Sequence, residues 1–224
     1  MNKLARLLLP ILVVMYSHAF AQDKAVVTPT GFLSDYARLM PDKTAKDNYF
    51  HYTTPEGVAR KMGKIYFMPI TGYPADVNFQ LVDKPVLDET MTAFDQLLRK
   101  KLEGKATLVG TPDEADTTVQ MVVTAVATVD AGRAAIDFIP LRLLTKPLKD
   151  AAMGKEQQIV VTLEMSIRDS KTGHVLYEAV HRSEGKNIGR SDDKKQLKAT
   201  GKELSPVIDS WTDKIVNEIV ATKK

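Results

Sequence analysis

The sequence predicts an α+β fold: a four- to five-stranded mixed, mostly antiparallel sheet with two main helices on one face. Three observations carry this reading. Apolar and polar residues alternate over 119–129 and again over 159–167, the period of two that marks strands with one buried face. Leu87, Met91, Phe94, Leu98 and Leu102, and later Leu204, Ile208, Trp211, Ile215 and Ile219, recur every three or four positions, as in helices with one buried stripe. The order strand, helix, short strand, three long strands, helix makes stacking both helices on one sheet face the economical arrangement.

Taken in chain order, 22–30 is polar and without periodicity. Phe32, Leu33, Tyr36, Leu39 and Met40 then predict one short amphipathic helix. Residues 22–52 read as a flexible tail and amino-terminal arm, and 53–224 as a single α+β domain. Thr54 caps a helical turn begun by Pro55. Ile65, Tyr66, Phe67 and Met68 form a short apolar strand stopped by Pro69. The first long helix ends at Gly104, which supplies a left-handed cap, and Asp95 and Arg99 lie one turn apart on it. A short strand follows over 106–109. The two long alternating strands come next, the second leading through Asp169, Ser170, Lys171, Thr172 and Gly173 into a return strand over 174–180. Residues 183–202 read as polar and irregular. Ser205 and Pro206 are the expected start of the last helix.

Composition narrows the function classes. At 44% hydrophobic and 26% charged over 224 residues, the chain has the make-up of a soluble globular protein large enough to bury a core. It has no cysteine, which excludes disulfides, thiol nucleophiles, zinc ribbons, iron–sulfur clusters and a lipid anchor on cysteine. Lys3 and Arg6 precede an apolar run over 7–16, too short for a bilayer span of roughly 20 residues. Ala19 and Ala21 then present the small residues that a signal peptidase reads, so 1–21 is expected to be a cleaved signal peptide and Gln22 the first mature residue. The expected location is periplasmic. Removing two bases brings the formal charge of +3 nearer neutrality, and no nucleic-acid partner is expected.

Gly31, Phe32, Leu33, Ser34, Asp35 and Tyr36, with Leu39, resemble the opening motif of the bacterial family called domain of unknown function 3313. The strand at 64–69 and the hairpin 164–178 lie where that family has its own. The resemblance runs from about Gly31 to Lys186. It implies an exported protein with a fold similar to the amino-terminal domain of TolB, a sheet with two helices. Many members of the family are lipoproteins, and this chain departs from them in lacking the required cysteine.

Few constellations carry chemistry. His174 and Glu178 share a predicted strand face but supply only two of the three or four ligands that zinc needs. The stretch 185–191 has two glycines three residues apart followed by Arg190, not the spacing and lysine of a phosphate loop. The acidic groups Asp113, Glu114 and Asp116, and Asp192 with Asp193, sit in turns, where water keeps carboxylates from acquiring the divergent pKa values of an acid–base pair. No Gly-x-Ser-x-Gly elbow occurs. Met91, Met121 and Met165 fit core positions. No catalytic residue, cofactor or metal is therefore expected.

Three segments remain for binding. Tyr49, Phe50 and Tyr52 either stack on a ligand or pack the arm onto the domain. The basic stretch 182–202 is a solvated loop or a peripheral membrane contact. The linker 134–153 is rich in large apolar residues, and Pro140 and Pro147 prevent one uninterrupted helix. It reads as a lid over the sheet or, through Phe138, Leu141, Leu143 and Leu144, as an interaction patch. The expected function is a non-enzymatic periplasmic module for an envelope component or protein partner. The alternative is an enzyme acting on envelope glycan or lipid.

Overall fold

The computed structural model describes residues 27, 29–42, 49–59, 61–75, 77, 79–131, 155–190 and 197–221. The expected signal peptide with Ala19, Ala21 and Gln22, and the linker with Phe138, Leu141, Leu143 and Leu144, lie outside them.

The fold is α+β, with one mixed sheet of eight strands rather than four or five. Its strands are β1 (Met40–Pro41), β2 (Tyr49–Thr53), β3 (Lys64–Phe67), β4 (Thr71–Gly72), β5 (Thr107–Leu108), β6 (Thr117–Asp130), β7 (Glu156–Asp169) and β8 (Val175–Arg190). They lie in the order β1-β2-β8-β7-β6-β3-β5, with β4 beside β6. The pairs β1–β2, β2–β8, β8–β7 and β7–β6 are antiparallel; β6–β3, β6–β4 and β3–β5 are parallel. The additional strands are two-residue pieces and β2, all too short to show a period of their own.

Two long helices, α2 (Lys84–Leu102) and α3 (Gly201–Ala221), cover one face; α1 (Pro55–Ala59) is a single turn capped by the Thr54 hydroxyl, which accepts from Gly57 N at 3.0 Å. The predicted stripe of α2 is buried in full. Phe94 and Trp211 meet between the helices at 5.6 Å between centroids, above Ile159, Val161, Leu163, Met165 and Ile167 of β7. Lys101 binds Asp213 at 2.7 Å, and Ala199 N donates to Leu81 O at 2.8 Å, tying the α3 entry to that of α2.

The β7–β8 turn forms as its sequence predicts: the Asp169 carboxylate accepts from the backbone of Lys171 and Thr172, at 2.8 and 2.6 Å, and Gly173 takes φ +72°.

Four expectations are corrected. First, 32–40 is not a helix but an irregular strap, bent over 31–34 and with one 3-10 turn at Tyr36–Arg38, because side chains rather than helical carbonyls take most of its amide hydrogens. Second, β6 does not alternate strictly. A bulge between Val123 and Ala125 shifts its register, so Val126 joins the helix-facing core and Ala125 pairs with Thr162 on the other face. Third, residues 183–190 are not a loop but the second half of β8, supported by β7 along its length. Fourth, α3 begins one turn before Ser205. Thr200 and Glu203 form a capping box there, with Thr200 N donating to the Glu203 carboxylate at 2.9 Å, and Pro206 sits inside the helix.

The arm is also part of the sheet: β2 pairs with β8 from Tyr49 opposite His181 to Thr53 opposite Tyr177.

Trp211 is 0% exposed, so its fluorescence is expected to be blue-shifted in the native protein. Trp211→Ala is expected to cost about 3–5 kcal/mol in denaturant unfolding. A Cβ on Gly185 would stand 2.4 Å from Glu203 O and 2.5 Å from Ile159 Cγ2. Gly185→Ala should therefore push α3 off β8 and lower stability by about 1–3 kcal/mol, measured by the same unfolding curves.

Candidate functional site

The helix-free face of the sheet gathers buried polar side chains at its centre. Strand alternation puts Thr162, Glu164 and Ser166 of β7 and Glu178, Val180 and Arg182 of β8 on that face, opposite the one bearing Ile159 to Ile167. The register sets Ser166 beside Glu178, Glu164 beside Val180 and Thr162 beside Arg182. Glu164 is thus the diagonal neighbour of Glu178 on one side and Arg182 on the other. All three are buried, the two carboxylates to 1% exposure. Arg182 also lies over the Phe50 ring, 5.7 Å from its centroid.

Such charges need partners inside the fold. The strap supplies them. Tyr36 Oη donates to Glu164 Oε2 at 2.6 Å, Thr30 Oγ1 donates to Glu164 Oε1 at 2.9 Å, and Ser34 N donates to Glu178 Oε1 at 2.8 Å. The Tyr36 hydroxyl in turn accepts from Phe32 N and Leu33 N, which bends the strap around it. Asp35 accepts from Ala37 N at 2.9 Å and opens the 3-10 turn. Leu33 and Leu39 then pack on Phe50 and Val180, a small apolar cluster separate from the helix-side core. Burial raises the Glu164 pKa above its ordinary 4.5, against the lowering effect of the Tyr36 and Thr30 hydroxyls. Burial likewise raises that of Tyr36.

A second cluster lies on the helix side. Tyr49 and Tyr177 are joined hydroxyl to hydroxyl, and burial raises both pKa values. Lys214 Nζ stands 4.1 Å from the Tyr49 ring centroid, 2.7 Å from Asp42 and 3.4 Å from Glu218. His181 packs edge-on to Tyr49, and burial, with the Lys214 charge, lowers its pKa to about 4. A cavity of about 50 Å³ beside this cluster, lined by Thr53, Gly57, Met62, Ile167, Leu176, Tyr177 and Glu218, is large enough for water but not for an organic ligand.

Several predicted residues serve other ends. Tyr49 and Phe50 are 2% and 1% exposed and are core side chains of β2, so neither is available to stack on a ligand; Tyr52 is half-buried and lies under Arg38. His174 is exposed in the turn before β8 and does not share a strand face with Glu178. Asp113 and Glu114 are exposed, and Asp116 accepts from Lys64 N at 2.9 Å. Among the described residues no three His, Cys, Asp or Glu side chains converge as metal ligands. No helix among them is long and apolar enough to cross a membrane. Sequence reasoning misses Glu164 and Glu178 because each occupies a polar position of an alternating strand, which reads as solvent-facing. The available signal is the coincidence of the 31–36 motif and the 164–178 hairpin in one family pattern.

That pattern is matched across the structure. The family model described as "Protein of unknown function (DUF3313)" matches residues 28–215, from the strap into the second half of α3. The chain belongs to this family. The resemblance read from the opening motif is thereby established, and the motif acquires a physical role, since Ser34 and Tyr36 hold the strap on Glu178 and Glu164. No curated protein matches the sequence. Among solved structures, the chain is similar to protein XCC0632 from Xanthomonas campestris, of family DUF330, at 11% identity over 76% of this chain and 90% of that one, with a TM-score of 0.44. It is similar to lipoprotein GNA1162 from Neisseria meningitidis at 12% identity over 71% and 99%, with a TM-score of 0.33. It is also similar to the PelC dodecamer from Paraburkholderia phytofirmans at 11% identity over 78% and 94%, with a TM-score of 0.35.

The raised Glu164 pKa has a definite sign. The folded state binds more protons than the unfolded chain above 4.5, so this group's contribution to stability falls as pH rises from 4.5 through the folded value. His181 acts oppositely, adding stability as pH rises from about 4 to 6.5. Glu164→Gln removes only the first effect. Melting curves across this range should show the variant gaining on the wild type as pH rises, by at most about 1.4 kcal/mol per pH unit.

Proposed function

We propose that the protein is an exported, periplasmic, non-enzymatic module of the cell envelope that binds an envelope component or a protein partner. The observation that carries the binding reading is the use made of its buried ionisable groups. Glu164 and Glu178 receive hydrogen bonds from the strap, Tyr49 and Tyr177 bond each other, and Lys214 bridges Asp42 and Glu218. Groups committed in this way brace a surface rather than turn over a substrate. The face formed by β7 and β8 already holds a non-strand segment of the chain, the strap, through carboxylates that accept backbone and hydroxyl hydrogens. The leader pattern at 1–21 supports export. Phe138, Leu141, Leu143 and Leu144 are the candidate contact to a partner.

A second reading, an enzyme acting on envelope glycan or lipid, draws on one observation. Glu164, with its raised pKa, and Glu178 are neighbouring carboxylates in distinct environments, the raw material of an acid–base pair. It requires the strap to leave.

Osmotic shock should release a chain whose intact mass begins at Gln22, and retention of 1–21 in a membrane fraction would overturn cleavage after Ala21. Cross-linking of intact envelopes should capture a defined component, with less capture by Phe138→Ser and Leu143→Ser at unchanged melting temperature. Turnover of envelope glycan or lipid, lost in folded Glu164→Gln and Glu178→Gln, would instead establish the enzyme.

A further inference from the structure

We propose that residues 30–39 form a gate, a strap that leaves and regains the helix-free face of the sheet as a unit while β2, β8 and the helix-covered core stay folded. Three observations point to it. The strap's buried residues Leu33 and Leu39 belong to the small cluster with Phe50 and Val180 and contribute nothing to the helix-side core. Between Thr30 and Leu39 the strap lies outside the strand ladder. The sheet holds it instead through side chains, the carboxylates of Glu164 and Glu178, which accept from Thr30, Ser34 and Tyr36. The β4–α2 loop adds a bond from Tyr73 Oη to Gly31 O at 3.2 Å and an edge contact between the Tyr73 and Phe32 rings.

The far end is fixed independently. Met40 and Pro41 pair with His51 and Phe50, Asp42 N donates to Tyr49 O at 2.9 Å, and the Asp42 carboxylate binds Lys214. This leaves the segment just before Met40 as the pivot.

The energetics favour partial release over global unfolding. Opening exposes only the small apolar cluster of Leu33, Leu39, Phe50 and Val180 and leaves the larger helix-side core buried, and it returns two buried carboxylates to water, which offsets part of the lost hydrogen bonding. A unit with few apolar contacts and side-chain anchors belongs at the low-stability end of a fold. Release uncovers a charged surface, Glu164, Glu178 and Arg182 beside Phe50 and Val180, that is closed in the resting structure. The inference is independent of the binding function proposed above.

The absence of cysteine makes the test direct, because an introduced thiol is the only one in the chain. Val180→Cys places it beneath the strap, at a position 1% exposed; Val161→Cys places a control under the helices, at a position 2% exposed. At neutral pH, the thiol of Val180→Cys should react with a thiol reagent at least about tenfold faster than that of Val161→Cys, since only the first needs the gate to open. Urea below the unfolding transition should accelerate the second reaction much more steeply than the first, because global unfolding exposes far more surface than release of the strap. Equal rates, or the same urea dependence for both reactions, would mean that the strap moves only when the whole domain unfolds and would overturn the proposal. Hydrogen exchange on the unmodified chain makes the same distinction without a variant. Amides of 32–34 should exchange at least about tenfold faster than those of 163–167, and matching rates would overturn it.

Discussion

The strand β7 is buried on both faces, and the rest of the structure answers that constraint. Its side chains Ile159, Val161, Leu163, Met165 and Ile167 face α2 and α3, while Thr162, Glu164 and Ser166 face the other way and are buried too. A central strand covered on one side only would leave a carboxylate in water at little cost. Covered on both, it forces the chain to supply a second cover that can meet polar groups. The strap is that cover. Its composition follows from what lies beneath it: a tyrosine and a threonine hydroxyl for Glu164, a backbone amide for Glu178, and two leucines for Phe50 and Val180.

The two faces are held by different physics. The helix side is an apolar core with Trp211 and Phe94 at its centre, stabilised by area removed from water. The strap side combines a few charge-assisted hydrogen bonds, set against the cost of burying carboxylates, with the small cluster of Leu33, Leu39, Phe50 and Val180. Strong anchoring on one face and a balanced contact on the other give a domain whose scaffold is fixed and whose opposite surface is adjustable. The family to which the chain belongs is described as one of unknown function, and this asymmetry is the feature of the fold most relevant to a binding role.

Titratable groups of opposite tendency sit on the two faces. His181, under the influence of burial and Lys214, disfavours acid; Glu164, through burial, disfavours base. Their contributions to stability have opposite slopes with pH in the mildly acidic range. The two groups reach this balance through the same cause, since burial penalises whichever form carries the charge.

Much of the scaffold is legible from local pattern, because helix stripes and strand alternation are properties of neighbouring residues. The stripe of α2, the burial of Trp211, the Asp169–Gly173 turn and the family motif all follow from the sequence alone. The strap defeats the same reasoning. Phe32, Leu33, Tyr36 and Leu39 have helical spacing, yet Ser34 N finds its acceptor on Glu178, far along the chain, and Phe32 N and Leu33 N find theirs on the Tyr36 hydroxyl. The bulge in β6 likewise reverses Ala125 and Ala127, since a single extra residue flips every side chain after it and leaves composition unchanged. By itself the sequence determined the two long helices with their buried stripes, the strands β3, β5, β6 and β7, the turn into β8 and the family. Only the tertiary structure decided that Glu164, Glu178 and Arg182 are buried, because burial of a polar strand face depends on what another part of the chain lays over it.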